Sequence, residues 1–216
     1  PEIDPDKIRF CLSEVLGELE ATKLAFWATE GAPVHLNRRL PRRQAKLLQS
    51  GKDYQREIFA TLWKDASKAR VILVPPEATK LIGDEPIWGC CMGRVPKTDH
   101  LGVPTGKGRI IHHGSDPEGE SLNDASELDK YPVVYLPTLT DIARDVVRIG
   151  HDFPEVDVVA AKYDGDAAFT REAIQQDGIG SLATDVAGHC GVYLVCFFGW
   201  GPAPSIFSTV SRTVSD

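Results

Sequence analysis

The stretch VVAAKYDGDAAFTREAI runs from Val158 to Ile174. Its first half is an apolar run of small and β-branched residues, and with the preceding VD it predicts a central strand over 156–163. The run stops at two carboxylates, Asp164 and Asp166, and an aromatic, Phe169, stands five residues beyond the first. A carboxylate at the C-terminal end of a central strand can bind a divalent cation. Mg2+ takes one or two carboxylates together with substrate phosphate oxygens, and two-metal phosphoryl-transfer centres are assembled in this way. An acidic strand-to-turn junction carries the same residues, so the neighbouring segments have to decide.

Upstream, Thr138 is a good N-cap with Asp141 three residues on. Leu139, Ile142, Ala143, Val146, Val147 and Ile149 make an apolar stripe at helical spacing, and Gly150 is placed to end the helix. Downstream, GHCGVYLVCFF (188–198) reads as a second strand, and APSIFSTVSRTVS (203–215) as a helix with Ile206, Phe207, Val210 and Val214 on one side. IWGCCMGRV (87–95) predicts a strand and RIIHH (109–113) its return, joined by a long Gly- and Pro-rich loop over 96–108. GSDPEGESLNDASELDKYP (114–132) is a polar, turn-rich connector. Pro75, Pro76 and Pro86 prevent 71–86 from being one regular element.

The N-terminal part reads as helical over 5–24 and again up to about Ala69, with an interruption at Ser50-Gly51. Between them lies NRRLPRRQAK (37–46). Its Arg38, Arg39, Arg42 and Arg43 fit either a solvated helix start or a surface that contacts phosphate. These readings divide the chain into an N-terminal helical region (1–70), a hairpin region (71–137) and a last part (138–216), an α+β composition.

The 216 residues suffice for a large core. Hydrophobic residues make up 42% and charged residues 25%, ordinary for a globular protein. No apolar run reaches the ~18 residues of a membrane span. The first 25 residues carry too many acids for a signal peptide, which makes an intracellular location the expectation. Cys11, Cys90, Cys91, Cys190 and Cys196 have no metal-ligand spacing and are expected to be reduced and mostly buried. The net charge of −7 is uneven: +3 over 1–70, +1 over 71–115 and −11 over 116–216. That division suits an acidic part that holds cations and a basic part that meets phosphate.

Three segments in fixed order sharpen the reading: KGRIIHHGSDPEGESLND (107–124), KYDGDAAF (162–169) and FFGWGPAPSIF (197–207). Together they resemble the fingers motif, the opening palm motif and the Gly-Pro motif of retroelement reverse transcriptases, and MGRVPK (92–97) is similar to the strand leading into the fingers. The resemblance covers about Pro86 to Asp216 and implies fingers and a partial palm of a retrotransposon enzyme. It implies that Asp164 is the catalytic carboxylate holding two Mg2+ ions, with Asp166 at a variable position as an accessory charge. Phe169 would block the sugar 2′-OH. Arg109 would bind the dNTP triphosphate together with a fingers lysine, Lys97 or Lys107. Phe198, Gly199, Pro202 and Pro204 would form the loop that meets nucleotide and template-primer, and the arginines of 38–43 would contact template. The partners implied are an RNA or DNA template-primer and a dNTP.

Two departures stand out. His112 and His113 occupy a place where the family usually has Asp; adjacent strand residues face opposite ways, so the pair is a poor chelate. No Tyr-x-Asp-Asp stretch occurs among the 216 residues, so this segment by itself is expected to be inactive. The alternatives are a degenerate or domesticated remnant that binds nucleic acid or protein without catalysis, and an unrelated α/β Mg2+-dependent nucleotidyl- or phosphotransferase using Asp164 and Asp166.

Overall fold

Local signals start and stop most of the helices in the computed structural model, which describes residues 4–82, 87–134, 137–159 and 168–215. Helix α1 (Pro5–Leu16) is capped by the Asp4 carboxylate, which accepts from Asp6 N and Lys7 N, with Pro5 in the first turn. Gly17, at φ 83°, breaks the helix, and α2 (Glu18–Glu30) follows. The single helix expected over 5–24 is therefore two, because a glycine in the left-handed region turns the chain. The arginine-rich segment is not a helix start; helix resumes only at the short α3 (Gln49–Lys52), ahead of α4 (Gln55–Ser67).

Strand β1 (Val71–Val74) leads to the short α5 (Pro76–Thr79). Then come β2 (Cys91–Thr98), β3 (Pro104–His113) and the short α6 (Leu122–Ala125). Helix α7 (Leu139–Asp152) precedes β4 (Ala183–Val186), β5 (His189–Tyr193) and α8 (Ala203–Ser215). Two antiparallel sheets result: β1-β5-β4, and the β2-β3 hairpin. The mixture of helix and antiparallel sheet agrees with an α+β composition.

Helix α4 lays Ile58 and Leu62, both fully buried, onto the three-stranded sheet, where Leu62 fills the space left by Gly191. Trp200, Tyr193, Phe197 and Ile206 are buried beside them and join the sheet to α8. Each such side chain contributes roughly 1.5–3 kcal/mol by leaving water. The polar connector enters this core as well. Leu122 and Ala125 are fully buried on α6, whose start is closed by a Ser121–Asp124 capping box, and Trp200 Nε1 donates to Ser126 Oγ at 3.1 Å.

Several expected boundaries move. The hairpin loop shrinks from 96–108 to 99–103, where the Asp99 carboxylate accepts from Leu101 N and Val103 N, both at 2.9 Å. The strand expected over 188–198 ends at Tyr193, where its ladders with β1 and β4 run out; Leu194 N then donates to Arg70 O. Residues 156–159 form no strand, and Val159 is 84% exposed. A strand needs a neighbour for its backbone groups, and 156–159 pair with no strand. The rest of that expected strand, 160–163, lies outside the described residues. The Thr138–Asp141 capping box forms as expected, but α7 passes Gly150 and ends at Phe153. Its stripe is exposed, with Leu139 85% and Val147 72% accessible.

Candidate functional site

The β2–β3 hairpin gathers cations on one face. Val95 pairs with Arg109 and Gly93 with Ile111, and side chains alternate along a strand, so Arg109 and Ile111 share a face of β3. Lys97 and Arg109, with Val95, Thr98 and Ile111, line an open hollow of about 450 Å3. Lys107 does not line it, so the hollow pairs Arg109 with Lys97. Lys97, Lys107 and Arg109 are exposed, and none has an ion-pair partner among the described residues. Uncompensated guanidinium and ammonium groups around a concavity suit an anion with several oxygens.

The opposite face anchors the hairpin. Arg94, 5% exposed, donates from Nε to Glu57 Oε2 at 2.8 Å and from an Nη to Gly106 O at 2.7 Å, and its guanidinium lies 3.9 Å from the Tyr54 ring centre. Gly108 makes room for it, since a Cβ there would lie 2.3 Å from Arg94 Nε. The hairpin thus carries a buried, paired arginine on β2 and an exposed one, without an ion-pair partner among the described residues, on β3.

The base of β3 meets the Gly-Pro loop. Gly199 has φ 105°, and a Cβ on it would stand 2.2 Å from His112 O; a Cβ on Gly114 would stand 2.2 Å from Gly199 O. Asn123 ties the same place together, donating from Nδ2 to Gly199 O (2.9 Å) and Ser115 Oγ (2.8 Å) and accepting from Gly201 N (2.8 Å). Asn123 lies inside the 107–124 motif, and no local sequence signal marks this tie. His112 is not a ligand. Its ring stacks on Phe197 at 4.2 Å and bonds the Tyr193 hydroxyl at 2.9 Å. Burial pushes its imidazole down to about 3, so it is neutral. His113 points to solvent, as strand alternation requires.

Phe169 and Phe198 come together, with ring centres 4.4 Å apart, and Phe169 also meets Phe207 edge-on at 5.7 Å. Phe198 remains 49% exposed. Pro204 lies in the first turn of α8 and is exposed. Just after Phe169, Glu172 is half-buried, and desolvation pushes its carboxyl up to about 7. A glutamate in a polar-looking TREA stretch carried no signal of that burial. Asp164 and Asp166 lie outside the described residues. Among the described residues no group of three or more His, Cys, Asp or Glu is placed to hold a metal ion.

The basic segment divides. Arg38 and Arg39 line an open cavity of about 560 Å3 with Asp177 and Ser181, and Arg38 donates to Gly119 O at 3.3 Å. Arg42 is exposed and reaches Thr79 O at 3.4 Å. Arg43 is turned inward. It pairs with the Asp116 carboxylate, donates to Asp116 O at 2.7 Å and Gly89 O at 3.1 Å, and covers the Trp88 ring. The donors of Arg43, expected at a nucleic-acid contact, are engaged inside the protein. Cys91 Sγ donates to the same carboxylate at 3.1 Å, and that bond and Arg43 hold the Asp116 carboxyl below its ordinary value. Cys90, Cys91, Cys190 and Cys196 are buried, Cys11 is exposed, and all five are free thiols.

No helix among the described residues is long and apolar enough to cross a membrane. No protein-family model matches the chain, and no curated protein matches it. Among solved structures it is similar to a foamy viral protease-reverse transcriptase in complex with double-stranded DNA, at 16% identity and a TM-score of 0.47, over 97% of this chain and 34% of that one. It is also similar to a foamy viral protease-reverse transcriptase in complex with an RNA/DNA hybrid, at 14% identity and a TM-score of 0.46, over 97% of this chain and 26% of that one. The chain thus spans about a third or less of the length of these structures.

Proposed function

We propose that this chain carries the triphosphate-binding hairpin and the beginning of the catalytic palm of a retrotransposon reverse transcriptase, a template-directed dNTP polymerase. The observation that carries the reading is the Lys97–Arg109 hollow: two cations, without ion-pair partners among the described residues, on a hairpin held from behind by buried Arg94 and its bond to Glu57. The ordered motifs at 107–124, 162–169 and 197–207 support it. In this reading Arg109 and Lys97 take the triphosphate and Lys107 adds positive potential. Phe169, backed by Phe198, faces the sugar, and Gly199 and Pro204 lie beside the nucleic acid. Arg38, Arg39 and Arg42 contact template phosphates.

Asp164 would hold Mg2+, which supplies charge neutralisation at the reacting phosphoryl group when bound. What the described residues contribute is binding and orientation, which is where the protein's share of phosphoryl transfer lies.

Two binding measurements test this. A labelled dTTP analogue should bind the wild-type protein and lose about tenfold or more in affinity on Arg109→Ala, the weight of a charge-assisted contact. An RNA–DNA hybrid should bind with strong salt dependence, weakened by Arg109→Glu. Unchanged affinities in both variants would refute the hairpin's role. A second reading, a domain that binds nucleic acid without polymerising, is favoured by His113 at the fingers position. It predicts hybrid binding without dTTP binding.

A further inference from the structure

The outer face of α4 is unlike the rest of the surface. Ile58 and Leu62 point to the core, and the next stripe round the helix is Gln55, Arg56, Phe59, Ala60, Trp63 and Lys64. These positions recur at helical spacing and so form one face. Trp63 is 62% exposed, while Trp88 and Trp200 are buried to 3% and 1%. Its ring lies 6.5 Å from that of Phe59 at 33°, and Phe59 meets the His189 ring edge-on at 4.9 Å.

The β4–β5 turn completes the surface. Ala187 and Gly188 both have positive φ, as a two-residue hairpin turn requires, and Ala187 closes an open, mainly apolar hollow of about 400 Å3 against Gln55, Arg56, Phe59 and Ala60. The charge on this face is mainly positive. Among the described residues Arg56 and Lys64 have no ion-pair partner, Glu57 is used by Arg94 and Asp65 by Arg70, and Asp53, three positions before Arg56, is the one acid left on this side. A mainly basic and aromatic face on a protein of net charge −7 is complementary to a polyanion with exposed rings.

We infer that this face of α4, with the Ala187–His189 turn, is a binding platform for single-stranded nucleic acid, in which a base stacks on Trp63 and flanking phosphates meet Arg56 and Lys64. Base–aromatic stacking with backbone cations is how sequence-tolerant single-strand binding works. The inference needs neither the hairpin hollow nor Asp164 and stands apart from the polymerase reading.

The test is fluorescence anisotropy with a labelled oligo-dT single strand of about 12 nucleotides, with tryptophan emission followed in parallel. Wild-type protein should bind with quenching of tryptophan emission. Trp63→Ala should bind about tenfold or more weakly and lose that quenching. The double variant Arg56→Gln, Lys64→Gln should flatten the salt dependence by about 1.4 in log–log slope, the loss of two phosphate contacts to a single strand. Trp63→Ala should leave dTTP affinity at the wild-type level, so failure of the hairpin reading is distinguishable from failure of this one. Wild-type affinity in Trp63→Ala would overturn the inference. So would a dimer in sedimentation that dissolves on Trp63→Ala while single-strand affinity holds, because the face would then serve a second copy of the chain.

Discussion

Replacing Gly199 by alanine probes the contact that joins the hairpin to the Gly-Pro loop. Two costs arise. At φ 105° a Cβ is strained, worth about 1–2 kcal/mol. The new methyl would also stand 2.2 Å from His112 O and 2.9 Å from His112 C, backbone atoms that cannot rotate away, worth about 1–3 kcal/mol of overpacking. Against these, alanine restricts the unfolded chain and recovers about 0.5–1 kcal/mol. The net loss is about 1–4.5 kcal/mol. Gly102→Ala is the matched control, with φ 79° and nothing within 4 Å of the added Cβ. It has the strain and the entropy gain without the overlap, for a net cost of about 0–1.5 kcal/mol, so the two differ by the overlap of about 1–3 kcal/mol. A chain of this size loses about 2–4 °C of Tm per kcal/mol. Thermal unfolding by circular dichroism should therefore place Gly199→Ala about 2–12 °C below Gly102→Ala. Equal melting temperatures for the two variants would refute the close approach of the loop to the base of β3.

Other outcomes follow from the same geometry. Burial raises the Glu172 carboxyl from 4.5 to about 7, so the folded state binds the extra proton and stability is greatest below the unfolded value, falling as pH rises towards 7. Glu172→Gln should raise Tm at pH 8, with the gain vanishing towards pH 4.5; a constant gain would show that the carboxyl titrates normally. Tyr193→Phe removes the hydroxyl that bonds His112 and should cost about 1–2 kcal/mol in urea unfolding with an unchanged m-value. Arg43→Ala removes the donor to the Asp116 and Gly89 carbonyls, leaves the Asp116 carboxylate with Cys91 Sγ, and should cost about 1–3 kcal/mol, while hybrid binding at a stability-permissive temperature stays at the wild-type level. Arg39→Ala should do the reverse, with unchanged Tm and reduced hybrid affinity.

Features written in short-range chemistry were legible in the chain itself. The Thr138–Asp141 capping box, helix 203–215, the two strands of the hairpin and the opposite facing of His112 and His113 each depend on neighbours a few positions away, where propensity and periodicity operate. Gly17 is the local exception: its break of the first helix was overlooked, though glycine is the residue that permits it.

Tertiary structure alone decided which charges are free. Arg43 and Arg39 stand four positions apart in one basic segment. One is consumed because Asp116 arrives 73 residues later, and the other is left facing a cavity. Arg94 and Arg109 divide in the same way, by whether Glu57 or solvent lies opposite. The fate of 156–159 was likewise out of reach, because an apolar run becomes a strand only where a partner strand lies beside it, and none pairs with these residues. An ion pair or a ladder bond needs two partners in contact, and a linear pattern names only one of them.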